Sequence, residues 1–204
     1  MLKKALKELS THKRFASLIK KYGRPKLKRG NDPFKALVRS IVYQQLSTKA
    51  AATIYNRFLA LFNNDGKHPT PAQILNTPIT TLKSSGLSAQ KCSYLHDLAL
   101  KFTDGTIHAS SLKTMNNEEV VAHLTQIRGI GEWSVHMFLI FTLNRLNVLP
   151  TGDLGVRKGF QIVYKLKTLP DKKTMLKKGA PWSNEASLAS WYFWRVADEV
   201  KLKK

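Results

Sequence analysis

Apolar residues along most of the chain recur with the period of a helix rather than the alternation of a strand. Phe34, Leu37, Val38, Ile41, Val42 and Leu46 fall on one helical stripe, which continues towards Ile54, Phe58 and Leu61. Asp32-Pro33 starts it well, with an aspartate to cap and a proline in the first turn. Short helical pieces follow, broken at Pro69, Pro71, Pro78 and Gly86. A helix from about Ser88 carries Tyr94, Leu95, Leu98 and Phe102. Further helices are expected over 118–127, 133–146, 153–165 and 185–200, the last rich in aromatics. Few two-residue alternations survive inspection, and no repeat or linker tract appears. The pattern predicts an all-α fold.

Charge then narrows the partner. Thirty-four Lys+Arg against 13 Asp+Glu leave +21 and a pI near 10.2, a field that seeks a polyanion. The excess is strongest in residues 1–39, where only Glu8 and Asp32 oppose it, and again from Lys165 to Lys178. Either run alone is as well explained as a solvated face. Arg24 to Arg29 (RPKLKR) reads as an exposed loop. No 18-residue uncharged apolar stretch exists, and core-type stripes consume the apolar residues, so a membrane partner is excluded in favour of nucleic acid. The opening MLKKALKELSTHKRF has no apolar core of a secretory signal. The single cysteine, Cys92, excludes an internal disulfide and four-cysteine iron–sulfur or zinc sites, and points to a reducing compartment. The histidines show no ligand spacing, so no catalytic metal is implied.

The chemistry concentrates in residues 124–135, LTQIRGIGEWSV, read as helix, tight turn, helix. Gly129 and Gly131 let the chain reverse and present backbone N–H groups at the next helix start, which suits a phosphate. An ordinary interhelical turn would look the same. Its context decides: the turn is followed by Leu149-Pro-Thr-Gly-Asp153-Leu-Gly-Val-Arg-Lys-Gly-Phe160. With this loop the chain resembles the helix-hairpin-helix DNA glycosylases, within them the alkylpurine branch of the 3-methyladenine DNA glycosylase II type. Three more segments carry the resemblance: residues 32–51 with Gln44-Gln45, Gly86-Leu87-Ser88-Ala-Gln-Lys91, and Pro181-Trp182 followed by Ala189-Ser-Trp191-Tyr192-Phe-Trp194-Arg195. The matches occur in family order over roughly residues 30–196.

The resemblance implies two helical lobes with the hairpin motif and an active-site cleft between them. It implies one glycosylase-like unit over 1–204, with a basic segment 1–31, the hairpin and Gly/Pro-Asp loop within 117–160, and no extra β-rich N-terminal domain. It makes Asp153 the catalytic carboxylate, beside the positive charge that builds on deoxyribose as the glycosidic bond breaks. Thr-Gly-Asp before a helix also reads as a plain N-cap, and the two roles can coexist. Alkylated purines already carry positive charge, so one carboxylate can suffice.

A base inside a duplex must be flipped out. The resemblance places Gln44, Gln45, Leu46 and Ser47 at the minor-groove wedge, with Leu87 as a second probe; Leu46 fits the core stripe equally well. Further DNA contacts fall on Arg128, Gly129, Ile130, Gly131, Glu132, Trp133, Lys49, Gly86, Ser88 and Lys91. Tyr43, Trp133 and Trp182 are expected to line the base pocket, with Trp191 a further candidate; helical spacing favours core positions for Trp191 and Trp194. Trp133 stands where bifunctional relatives carry a Schiff-base lysine, which implies hydrolysis without lyase activity. The carbonyls of Thr125, Ile127 and Ile130 match a site for a monovalent cation bridging to a DNA phosphate; no other cofactor is implied. The chain departs from the family pattern at Ser183-Asn184-Glu185-Ala186-Ser187, where arginines and a tyrosine are usual, and in the short Ser47.

The expected function is monofunctional excision of alkylated purines from double-stranded DNA, leaving an abasic site. The alternative is a weak or inactive homologue that binds and bends damaged or abasic DNA. A monomer is expected, nuclear in a eukaryote and otherwise cytoplasmic.

Overall fold

A computed structural model describes residues 2–25, 30, 32–62 and 67–202, with side chains to residue 200. Residues 26–29 of RPKLKR therefore lie outside the described residues, whereas Arg24 and Pro25 are described. Helices and the loops between them make up the described residues, which contain no strand. In order they form α1 (Leu2–Ser10), α2 (Lys13–Tyr22), α3 (Pro33–Tyr43), α4 (Thr48–Ala60), α5 (Pro71–Leu75) and α6 (Ile79–Ser84). There follow α7 (Ala89–Thr103), α8 (Asn117–Leu124), α9 (Glu132–Phe141), α10 (Leu154–Tyr164), α11 (Lys172–Gly179) and α12 (Ala186–Leu202). None of these is long and apolar enough to cross a membrane.

Helix starts follow the chemistry of orphan N–H groups. Asp32 accepts from the Lys35 N–H at 2.9 Å, and Ser88 and Asp153 cap α7 and α10 in the same way. Thr70 with Gln73 and Asn116 with Glu119 form reciprocal capping boxes on α5 and α8. The stripe from Phe34 to Leu61 is not one helix: α3 stops at Tyr43 and α4 starts at Thr48. Gln45 takes a left-handed backbone (φ 55°), which ends any helix, and the Ser47 hydroxyl caps α4 through the Ala50 N–H. Asn144, also left-handed (φ 53°), follows α9, which ends five residues before the expected 146.

The chain divides into two compact units. Residues 30–138 form one, and residues 1–29 together with 139–204 form the other. In the first, Leu37, Val38, Ile41 and Val42 of α3 are buried, as are Tyr55 and Phe58 of α4 and Leu95 and Leu98 of α7. In the second, the basic N-terminal segment is two amphipathic helices that bury Ala5, Leu9 and Phe15 with Phe160, Trp182, Tyr192 and Phe193. The α10 and α12 backbones touch at Gly159, where a Cβ would overlap the Phe193 carbonyl.

Glu185, in the stretch that departs from the family pattern, is buried in this second unit, 7% exposed. Burial first, then the hydrogen bond and charge of Glu8 on α1, push its carboxyl above the ordinary glutamate value. The folded chain thus holds this proton more tightly than the unfolded chain. Its contribution turns unfavourable as pH rises from the ordinary value through the raised one. Glu185→Gln, neutral at every pH, is expected to raise Tm at pH 7, with the gain shrinking as the pH falls to the glutamate range. Melting curves across that range check it; no gain at pH 7 would refute the buried carboxyl.

Candidate functional site

In unit 30–138 the hairpin is built by α8, the turn 125–131 and α9. Ile127 and Ile130 are buried and anchor the turn, with the Ile130 N–H donating to the Ile127 carbonyl at 3.0 Å. Gly129 is left-handed (φ 82°), and a Cβ there would overlap the Tyr94 ring of α7. Gly131 has an ordinary φ and open space around it. The reversal therefore needs Gly129 alone, a correction to the two-glycine reading. The α9 N-terminus supplies the N–H groups and positive dipole end that suit an anion.

Asp97 of α7, buried, holds the hairpin from behind. Its carboxylate accepts from the Arg128 N–H at 2.8 Å, the Arg128 Nε at 3.2 Å and the Lys101 ammonium at 3.0 Å. Burial alone would raise its pKa; these donors and the Lys101 charge outweigh it and hold the carboxyl below the ordinary value. The Arg128 N–H is thus engaged internally and is not one of the groups offered to a phosphate, while the guanidinium side chain is largely exposed.

The loop 44–47 joins the hairpin through Gln44, whose Nε2 donates to the Gly129 carbonyl at 2.7 Å. Gln45 is exposed and left-handed, and Leu46 is 39% exposed at the loop tip. This resolves the two readings of Leu46, which leaves the core stripe where α3 ends. Lys49 is exposed on the first turn of α4. Lys91 is not turned to solvent: its ammonium donates to the Val42 and Gln44 carbonyls at 2.8 Å each, and burial lowers its pKa. Gly86 and Ser88 are exposed, but Leu87 between them is 4% exposed. Leu87 is a core residue at the α6–α7 turn, which corrects its assignment as a probe of the opposite strand.

The aromatic candidates separate. Trp133, on the first turn of α9, is 49% exposed. Tyr43 is half-buried, with the Arg39 guanidinium 4.4 Å above its ring and Tyr55 6.0 Å away. Trp182, at 2% exposed, is not a pocket wall: Phe15, Phe160 and Phe193 surround it and its indole N–H donates to Tyr164.

In the other unit, Asp153 caps α10. Its Oδ1 accepts from the Val156 N–H and from the Trp194 indole, both at 2.8 Å. Trp194, on α12, stacks on Phe141 (5.8 Å, 25°), which fixes the indole plane. Gly155 lets it approach, since a Cβ there would come within 2.9 Å of the Trp194 ring. Trp194 is therefore more than the core residue its spacing suggests. The only local signal for its partnership was the glycine two residues after Asp153. Asp97 had no sequence signal beyond being a carboxylate on an apolar helix face. Among the described residues no group of His, Cys, Asp and Glu is placed to hold a metal ion.

Comparison with known proteins bears on these arrangements. The family model described as HhH-GPD superfamily base excision DNA repair protein matches residues 38–184. DNA-3-methyladenine glycosylase 1 of Schizosaccharomyces pombe is 36% identical over 186 residues, covering 91% of this chain and 81% of the relative. From the same organism, alkylbase DNA glycosidase-like protein mag2 is 30% identical, covering 95% of this chain and 93% of its own. The solved S. pombe 3-methyladenine DNA glycosylase in complex with abasic DNA matches at TM-score 0.81 and 36% identity, covering 94% of this chain and 95% of that one.

Proposed function

The chain belongs to the HhH-GPD superfamily of base excision DNA repair proteins, and we propose that within it the protein is a monofunctional glycosylase for alkylated purines. The observation that carries this reading is the loop 44–47. A left-handed Gln45 presents Leu46 at the loop tip, and Gln44 ties that loop to a phosphate-type hairpin, so an apolar side chain is held beside a phosphate-binding helix start. A duplex opened by base flipping buries that side chain: Leu46 fills the gap, as apolar wedges do between base steps.

The α9 N-terminus and the basic surface hold the phosphates. The carbonyls of Thr125, Ile127 and Ile130 would hold a monovalent cation. Three neutral oxygens fit such an ion, and the Ile127 carbonyl keeps a lone pair beyond its bond from Ile130. Such an ion would supply positive charge to offset part of the phosphate charge. Trp133 offers its exposed face to the cationic flipped base, and Tyr43 is the second aromatic candidate. Asp153 stabilises the positive sugar as the C–N bond breaks, and its carboxylate orients the water whose oxygen bonds to C1′. The cationic base takes the bonding electrons and leaves neutral, and the water's proton passes to the Asp153 carboxylate and on to solvent. No amine is held at the position of Trp133, so the reaction ends at the abasic site. The protein acts as a monomer on chromosomal DNA, in the nucleus of a eukaryote and otherwise in the cytoplasm.

The test is single-turnover release of 3-methyladenine and 7-methylguanine from methylated duplex DNA, beside titration of an abasic-site duplex. Release is expected with both bases. Tight abasic binding without release would replace the glycosylase with a damage-binding homologue.

A further inference from the structure

Lys91, a lysine on the expected DNA-facing face, spends its charge inside the protein. Two of its three N–H donors end on the Val42 and Gln44 carbonyls, at the C-terminal end of α3. Those carbonyls have lost their helical partners and lie at the negative end of the helix dipole, so an ammonium is well placed there. The residue whose carbonyl it fixes, Gln44, is the one whose side chain reaches the hairpin at Gly129. Two further side chains of α7, each three residues on, hold the hairpin itself: the Tyr94 ring lies against Gly129 and Asp97 takes the Arg128 N–H. One helix thus braces the wedge loop with Lys91 and the hairpin with Tyr94 and Asp97, and Gln44 closes the circuit.

We propose that Lys91 is a positioning residue that makes the loop 44–47 and the hairpin one preorganised DNA-reading body, and that it contacts no phosphate. The proposal rests on the reading of these two elements as a DNA surface. Without the brace, the left-handed Gln45 and exposed Leu46 would sample other arrangements in the free protein, and binding would have to order them.

A phosphate contact and an internal brace differ in one readout. Removing a phosphate-contacting lysine lowers the slope of log affinity against log salt by about 0.9, whereas removing a brace weakens binding at every salt concentration alike. The full-length chain carrying Lys91→Met, Lys91→Arg or Lys49→Met is titrated with an abasic-site duplex across a salt series. Lys91→Met is expected to bind about tenfold more weakly with the wild-type slope, and Lys91→Arg, which can still donate to both carbonyls, to recover most of the loss. Lys49→Met, on an exposed lysine, is expected to lower the slope. Lys91→Gln, neutral but still a donor, carries the same slope test should the methionine variant fail to fold. A slope lowered by about 0.9 in either neutral variant, or wild-type affinity in Lys91→Met, overturns the proposal. Wild-type protein that shows no salt-dependent binding would overturn the DNA reading as well, which separates the two failures.

Discussion

Asp153→Asn is expected to cut single-turnover base release by at least about 100-fold while leaving abasic-duplex affinity near wild type. The substitution is nearly isosteric, and the amide oxygen can still accept from the Val156 N–H and the Trp194 indole that Oδ1 serves now. Cap, indole orientation and the start of α10 therefore survive, and what is lost is the charge that faces a developing oxocarbenium ion. Asp153→Ala is a poorer probe. It removes the cap as well, at about 1 kcal/mol, and strands a half-buried indole N–H. Release by the asparagine variant within a few-fold of wild type would show that Asp153 is an N-cap and nothing more.

The second large effect is expected at the hairpin, where two glycines answer to different demands. Gly129→Ala must place a Cβ on a left-handed backbone and inside the Tyr94 ring. Together these cost about 2–5 kcal/mol, worth roughly 5–15 °C in Tm for a chain of this size. Gly131→Ala meets no neighbouring atom and an ordinary φ, so its Tm should stay within about 2 °C of wild type. Its Cβ nevertheless stands at the helix start that would approach a phosphate, and abasic-DNA affinity should fall. Thermal melts and salt-controlled titrations of the two variants separate the cases. Wild-type affinity in Gly131→Ala would remove the close phosphate approach from the interface.

The features readable in the sequence are those that short stretches of chain decide for themselves. Ser88 and Asp153 begin helices because a side-chain oxygen three residues back from an N–H is a local matter. The hairpin was legible because its glycine and buried isoleucines sit within a few residues of one another. Destinations of side chains are a different problem. Lys91 looks like any exposed lysine until a helix end 47 residues earlier in the chain is folded against it. Trp194 finds Asp153 across 41 residues, and Arg128 finds Asp97 across 31. Trp182 and Leu87 follow the same logic in reverse, drawn into cores although their motifs suggested a pocket wall and a probe of the opposite strand. The break between α3 and α4 was hidden because four loop residues preserve an apparently continuous apolar stripe.

The division of the chain also sets an order of assembly during synthesis. Residues 30–138 are contiguous, so that unit can fold as soon as it leaves the ribosome. The other unit draws on both ends of the chain: the Tyr192 hydroxyl donates to the Gly23 carbonyl across 169 residues, and the Lys21 ammonium to the Glu199 carboxylate across 178. At translation rates of about 5–20 residues per second, α1 and α2 wait on the order of ten to thirty seconds for α12. Throughout that interval a strongly cationic segment, with Leu9 and Phe15 uncovered, hangs beside ribosomal RNA. The basic residues of those helices keep it soluble while it waits, and also invite capture by the wrong polyanion.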